Sequence, residues 1–260
     1  MKKRILAVFL ALGMLTCLLS ACGGATNQTS KSSDETSASS GQNSVDSEQN
    51  HANEITVGIA QDLDDSLDPY QMTAAGTREV MFNVFEGLVK PDSDGNFVDA
   101  VASEHSVSDD QLTYTFTLRD GVVFHNGAEC TVDDVLYSFE TCAATTVNSA
   151  VAEALSAIVD TKTEGNQISF TLSAPNSDFI SYVSNVYIVP KDYAEQATQP
   201  VGTGPFKYVS RSVQENVVLE KNADYYGEQA KLDKVTYKIF EDNTAMMTAL
   251  NAGGLDLVAH

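Results

Sequence analysis

The chain has 260 residues, and 36 Asp and Glu against 15 Lys and Arg give a formal net charge of −21 at pH 7. So acidic a surface repels nucleic acid phosphates, which argues against DNA or RNA as a partner. No sequence unit of about 20 to 50 residues repeats, so the chain is not a solenoid.

The N-terminus has the composition of a secretory signal peptide. Three basic residues at positions 2–4 precede the apolar run Ile5–Leu19, which is shorter than the about 20 apolar residues of a membrane-spanning helix. Cys22 follows Leu-Ser-Ala, as in a bacterial lipoprotein signal. We therefore predict that residues 1–21 are removed and that Cys22 carries lipid such as palmitate. The alternative is an ordinary secretory signal with an incidental cysteine.

Residues 22–53 are mostly Ser, Thr, Asn, Gln, Gly and acidic residues, with almost nothing apolar. Such a segment cannot bury enough surface to fold. We predict a disordered tether that joins the membrane to a folded body at residues 54–260. A plain disordered tail is the alternative, and the two differ only in whether Cys22 is lipidated.

The first half of the body alternates between strand and helix patterns. Ile55–Ile59 alternates and is β-branched, which predicts a strand. An acidic loop, Gln61–Tyr70, closes on Asp-Pro. Apolar residues at helical spacing then predict a helix from about residue 74 to a stop at Gly87 and Pro91.

The middle of the body continues this mixture. Leu112–Leu118 and Gln167–Leu172 alternate and are predicted strands, and Asp178–Ser184 is a predicted helix. Thr131 with Asp134 three residues later resembles a capping box that opens a helix.

The C-terminal part has the same character, with a helix expected after Pro190 and another capped by Asn243 or Thr244. Further strands are predicted at 206–210, Asn216–Glu220, Lys234–Phe240 and Leu255–Val258. Strands and helices interspersed in this way predict an α/β or α+β body of about 200 residues.

The sequence contains no constellation typical of an enzyme or a metal site. It has no G-x-S-x-G, H-E-x-x-H or C-x-x-C motif, and its four histidines are scattered. Asp64, Asp65 and Asp68 cluster in a loop but lack the spacing of a calcium-binding EF-hand. We expect a protein that is not an enzyme and that carries neither cofactor nor metal.

The stretch VGTGPFK at residues 201–207 resembles a phosphate loop at first sight. Only one residue separates its glycines, Pro205 lacks a backbone N–H, and a strand pattern follows instead of a helix. We therefore expect Gly202 and Gly204 to serve backbone geometry.

Cys130 and Cys142 are the cysteines that remain after Cys17 and Cys22. A helix of twelve residues between them would span about 18 Å, whereas a disulfide needs Cα atoms within about 7 Å. We expect two separate core thiols.

Seven stretches in chain order resemble the family 5 extracellular solute-binding proteins of ABC importers, the oligopeptide- and dipeptide-binding group. They are Phe85–Val89, Leu112–Gly121, Val123–Gly127, Thr131–Phe139, Gly202–Phe206, Leu219–Tyr226 and Leu232–Val235. The resemblance implies a type II periplasmic-binding-protein-like α/β fold with mixed sheets and flanking helices. Family members continue well beyond the point that matches Leu255–His260, so the resemblance implies an N-terminal lobe with the second lobe missing.

The family resemblance also implies a function. A two-lobed receptor of this kind closes on a peptide or other small solute and docks on ABC permease subunits in the membrane. Its place would be extracytoplasmic, lipid-anchored through Cys22 to the outer face of the cytoplasmic membrane, or in the periplasm if the source is Gram-negative. The alternatives are a family member that binds nickel, haem or sugars, and a truncated surface lipoprotein without transport activity.

By family analogy, Ser66, Leu67 and Asp68 in the loop after the first strand face the ligand cleft. Tyr182 and Asn185 are further candidates for lining it. The alternative for each of these residues is a solvated or packing role.

Overall fold

The computed structural model of the protein describes residues 53–259. The predicted signal at 1–21, Cys22 and all of the predicted tether except Asn53 lie outside the described residues. No helix within residues 53–259 is long and apolar enough to cross a membrane.

The described residues form a mixture of helices and strands, which confirms the predicted α/β class. The helices are α1 (Ala75–Met81), α2 (Val132–Ala144), α3 (Ser149–Ser156), α4 (Phe179–Val183) and α5 (Asn243–Asn251). The first six strands are β1 (Glu54–Ile59), β2 (Val89–Pro91), β3 (Phe97–Asp99), β4 (Ala102–Val107), β5 (Thr113–Leu118) and β6 (Ile158–Glu164). The remaining strands are β7 (Gln167–Leu172), β8 (Phe206–Ser212), β9 (Asn216–Lys221), β10 (Lys234–Ile239) and β11 (Leu257–Val258).

Two larger sheets organise these strands. The five-stranded sheet has the order β11-β1-β10-β9-β8, in which β1 is parallel to both of its neighbours and the other pairs are antiparallel. The four-stranded sheet has the order β4-β5-β7-β6 and is antiparallel throughout. Strands β2 and β3 form a separate antiparallel pair.

Buried and less buried side chains alternate along β5 and β7, which gives the four-stranded sheet one apolar and one polar face. Tyr114, Phe116, Ile168 and Phe170 are buried on one face. Phe139 of α2 stacks on Phe170 with ring centroids 4.4 Å apart, so α2 covers this face. Because successive strand residues point to opposite faces, the intervening Thr and Ser form the outer face.

The predicted helix after Ala74 ends earlier than expected. Helix α1 stops at Met81, because the chain then turns and the carbonyls of Asn83 and Val84 accept bonds from Phe206 and Gly204 at 3.1 and 2.9 Å. Val84, Phe85 and Leu88 are buried in this turn rather than on a helix face, whereas Phe82 is exposed.

Two further helix predictions need correction. No helix begins directly after Pro190. Isolated turns occur there instead, in which Glu195 O accepts from the N–H groups of Thr198 and Gln199. Helix α5 is capped by Asp242, whose carboxylate accepts from Ala245 N–H at 2.8 Å, and not by Asn243 or Thr244. The predicted capping box is confirmed, since Thr131 N–H donates to the Asp134 carboxylate at 2.8 Å.

The two glycines of VGTGPFK serve close backbone packing, as predicted. A Cβ at Gly202 would lie 2.2 Å from Val84 O, and one at Gly204 would lie 2.5 Å from Asn83 O. His125 fastens the same segment: its Nε2 lies 3.0 Å from Gly204 O, and Gly202 N–H donates to its Nδ1 at 3.3 Å. A neutral ring satisfies both contacts, and burial lowers the pKa of His125 to about 4.

A buried carboxylate links two of the family-like stretches. Glu86 accepts from Lys90 Nζ at 2.6 Å and from Tyr225 OH at 2.8 Å, and Tyr226 OH also donates to it. These contacts satisfy a charge that would otherwise be costly to bury. Cys130 and Cys142 are both buried and free, which confirms the prediction of separate core thiols.

Candidate functional site

A cavity of about 760 Å³ lies at the carboxyl ends of the three parallel strands. Val57 and Ile59 of β1, Tyr237 of β10 and Leu257 of β11 line it, and so do residues just beyond these strands. In sheets with parallel strands, ligands bind in the crevice outside the carboxyl ends of the strands. This position makes the cavity the candidate binding site of the described residues.

Two helices complete the wall of the cavity. Helix α1 contributes Ala75, Gly76, Glu79 and Val80. Helix α5 contributes its capping residue and Asn243. A Cβ added at Gly76 would meet no atom within 4 Å, so the first turn of α1 leaves this part of the cavity open.

The charged groups in the cavity are all acidic. Glu79, Glu241 and Asp242 line it, and no Lys, Arg or His is among its lining residues. Tyr237 OH accepts from Asn83 Nδ2 at 3.3 Å. Burial raises the pKa of Tyr237, so its hydroxyl keeps a proton that it can donate to a bound molecule.

The predicted residues Ser66, Leu67 and Asp68 lie in the loop between β1 and α1, outside the lining of this cavity. Leu67 is buried, and its N–H donates to Ala197 O at 2.9 Å. Asp68 accepts from Tyr70 N–H at 2.9 Å and shapes the turn at Pro69, while burial raises its pKa. Ser66 Oγ accepts from Asp68 N–H at 3.3 Å. A role for these three residues in binding stays a prediction.

Tyr182 and Asn185 lie at α4, also outside the lining of the large cavity. Asn185 borders a small niche of about 30 Å³ together with Pro69 and Tyr70, so it lies near the predicted loop. Its Nδ2 donates to Ser181 O at 2.8 Å. Tyr182 is partly buried and packs against the core. For these two residues as well, a role in binding stays a prediction.

Sequence reasoning missed the residues that line the large cavity. Parallel pairing of β1 with β10 brings them together across 180 positions, and nothing local in the sequence signals that pairing. The one available signal was the acidic run Glu241-Asp242 directly after a predicted strand.

In the acidic loop after β1, the Asp64 carboxylate accepts hydrogen bonds from nearby residues of the same loop. Asp64 accepts from Ala74 N–H at 2.9 Å and from Thr73 N–H and Oγ1 at 2.8 and 2.9 Å. Burial raises the pKa of Asp64, but these hydrogen bonds outweigh it and lower the pKa below its usual value. Among the residues that the structure describes, no group of three or more His, Cys, Asp or Glu side chains is arranged to hold a metal ion.

Comparison with solved structures shows the same fold in a larger protein. The ABC transporter-associated periplasmic binding protein DppA from Helicobacter pylori, solved in complex with the peptide STSA, matches with a TM-score of 0.73 and 28% identity. The match covers 80% of this chain and 46% of that one. The predicted periplasmic-binding-protein-like fold is thereby confirmed.

Sequence relatives point to the same class of protein. The nickel-binding periplasmic protein of Escherichia coli is 28% identical over 67% of this chain and 35% of its own length. The glutathione-binding protein GsiB of Pectobacterium atrosepticum is 29% identical over 72% of this chain and 38% of its own length. The chain therefore spans well under half the length of these relatives.

The sequence profile described as "Bacterial extracellular solute-binding proteins, family 5 Middle" matches residues 96–260, which is more than half of the chain. The resemblance inferred from the seven stretches is confirmed. The chain belongs to the family 5 bacterial extracellular solute-binding proteins.

Proposed function

We propose that the chain acts as the substrate-binding component of an ABC importer, and that it captures extracellular peptides for delivery to a membrane permease. The observation that carries the proposal is the cavity of about 760 Å³ at the carboxyl ends of β1, β10 and β11, in a chain of this family. A solved relative of the same fold holds a peptide, which supports peptides as the solute class.

The chemistry of the cavity fits a peptide. Apolar residues such as Val57, Ile59 and Leu257 give it a surface that accepts varied side chains. Tyr237 offers a hydroxyl donor, and Glu79 and Glu241 offer acceptors for amide or ammonium N–H groups. Few placed polar groups within a mainly apolar wall are typical of small-molecule sites.

Two other functions remain as competitors. A relative named as nickel-binding favours nickel as a second candidate solute. A surface lipoprotein without transport activity is the third.

The direct experiment is isothermal titration of the chain lacking residues 1–21 with a defined mixture of short peptides, and separately with Ni²⁺ alone. We expect heat above dilution with the peptides. An Ala75→Trp variant should bind at least tenfold more weakly, because Ala75 lines the cavity and indole would fill it. Ala143→Trp, an equal change at an exposed position of α2, is the matched control.

The outcomes separate the three functions. No heat with millimolar peptide, or an equal effect of the two tryptophan substitutions, would contradict peptide capture at this cavity. Heat with Ni²⁺ and none with peptides would favour the nickel alternative. No heat with either would favour the lipoprotein without transport activity.

We also propose the domain division and anchor predicted above: signal at 1–21, tether at 22–53, solute-binding lobe from 54, and lipid on Cys22. Labelling of expressing bacteria with radioactive palmitate tests it. Label should enter the unmodified chain and be absent from Cys22→Ala. Label that persists in the variant would contradict the anchor.

A further inference from the structure

The segment Ala60–Asp64, which follows β1, separates two cavities of the described residues. Ala60 and Gln61 line both the cavity of about 760 Å³ and a second one of about 450 Å³. Asp62 lines the second cavity. The position of this segment therefore sets one side of the proposed solute site.

One side chain from β8 holds this segment. Arg211 Nη1 donates to Asp64 O at 2.6 Å, and Nη2 donates to Leu63 O at 2.7 Å and to the Asp62 carboxylate at 2.9 Å. Its side chain is only 9% exposed. A planar guanidinium with several donors in fixed directions is suited to holding three consecutive residues at once.

Further hydrogen bonds connect this segment to its neighbours on both sides. The Asp62 carboxylate also accepts from Gln214 N–H at 2.7 Å. The β8–β9 turn therefore supports the contacts of Arg211 with Asp62, Leu63 and Asp64, which we call the clamp. On the other side, Asp64 accepts from Ala74 N–H, the residue that precedes α1. Arg211 is thus connected through Asp64 to the first turn of α1, which lines the cavity.

The energetics of the clamp favour a positional role over a purely stabilising one. A buried ion pair is weak support for stability, because desolvation offsets much of the attraction between the charges. Among the described residues, Arg211 Nε is buried without a hydrogen-bond partner, which lowers the net gain further. The desolvation cost does not affect the second consequence of these contacts, which is that they fix the geometry of Ala60–Asp64.

We propose that Arg211 is a positioning residue of the solute site, which fixes the segment Ala60–Asp64 and thereby holds Ala60 and Gln61, which line the cavity, in the shape that accepts solute. The inference rests on the proposed function, because it concerns the same cavity. Arg211 is absent from the residues that line this cavity, so it acts through the segment that it holds.

The test compares Arg211→Met with Arg119→Met in the chain lacking residues 1–21. Arg119 is a matched control: it is partly buried and donates to the carbonyls of Ala100 and Ala102, but it lines neither cavity. Two measurements are made where both variants are folded. They are hydrogen exchange of the amides at residues 60–67 and titration with the short-peptide mixture.

We expect Arg211→Met to speed exchange at residues 60–67 about tenfold and to weaken peptide binding about tenfold. Arg119→Met should leave both within twofold. Arg211→Lys keeps the charge without the planar fork, so it should regain part of the affinity. A residue needed only for overall stability would raise exchange throughout the chain and leave the affinity of the folded fraction unchanged.

Unchanged exchange or affinity in Arg211→Met, or an equal loss of affinity in Arg119→Met, would overturn this inference. The proposed function would be unaffected by either result. If Arg211→Met does not fold, Asp62→Asn keeps the side-chain volume and removes the paired charge. A threefold weaker affinity in that variant supports the inference, and an unchanged affinity overturns it. Failure of the unmodified chain to bind any peptide would instead overturn the proposed function, and this inference with it.

Discussion

The four-stranded and five-stranded sheets of this lobe bury their side chains differently. In the four-stranded sheet, Tyr114, Phe116 and Phe170 are buried, with Phe170 against Phe139 of α2 and Tyr114 against Phe179 of α4. In the five-stranded sheet, Ile59 and Tyr237 are only partly buried, and both border the large cavity. The first sheet is therefore a packed core, whereas the second leaves a surface that a solute can cover.

The largest expected effect tests the packed core of the four-stranded sheet. Phe170→Ala should lower the free energy of unfolding by about 3 to 5 kcal/mol, because it leaves a cavity between Phe116 and Phe139. Urea denaturation followed by circular dichroism measures the change.

The matched control is Phe82→Ala at the C-terminal end of α1, where the side chain is 57% exposed. Its effect should stay within about 0.5 kcal/mol. Equal losses in the two variants would contradict the enclosed packing of Phe170 in the four-stranded sheet.

A smaller effect concerns the connection between the two regions, where His125 holds the segment that leads into β8. The pKa of His125 is about 4 in the folded chain against an ordinary value of 6.5. The neutral ring therefore stabilises the fold fully above about pH 6.5, and this contribution is lost as the pH falls from 6.5 to 4. The shift corresponds to at most about 3 kcal/mol.

Urea denaturation of the unmodified chain and of His125→Gln at several pH values between 7 and 4 measures this effect. Other titrating groups are common to both proteins, so the difference between their curves isolates His125. The variant should lose less stability on acidification. Parallel curves would show that His125 titrates normally in the folded chain.

The smallest effect distinguishes two glycines by the space around them. Gly204→Ala should cost about 2 kcal/mol, because its Cβ would meet the backbone carbonyls of Asn83 and Val84. Gly76→Ala, in the open first turn of α1, should instead stabilise the chain by about 0.5 to 1 kcal/mol. Thermal unfolding of both variants gives the sign directly, and a stabilising Gly204→Ala would contradict the close approach.

The contrast between the sheets also explains what could be predicted from the sequence. Strands β5 and β7 have strict alternation over a well-packed face, so local pattern was enough to find both. The capping box of α2 is a local signal of the same kind. The end of α1 was misjudged, because distant partners in the Gly204–Phe206 segment take over the backbone groups there.

The candidate site could be predicted less well, for a related reason. Family analogy predicts that the loop with Ser66–Asp68 faces the cleft, and its role in binding stays a prediction. The cavity depends on parallel pairing of β1, β10 and β11, which joins residues far apart in the chain. No single segment contains the information for that pairing, so Glu79, Tyr237 and Glu241 were not identified together.

That pairing also has a consequence for how the chain folds. Glu54 and Lys234, at the starts of β1 and β10, are 180 positions apart. Closing so long a stretch of chain costs entropy before the strands pair, so this sheet is expected to form slowly. Until it forms, the open edges of β1 can pair with other chains. The topology thus delays completion of the solute-binding sheet until the distant β10 has joined β1.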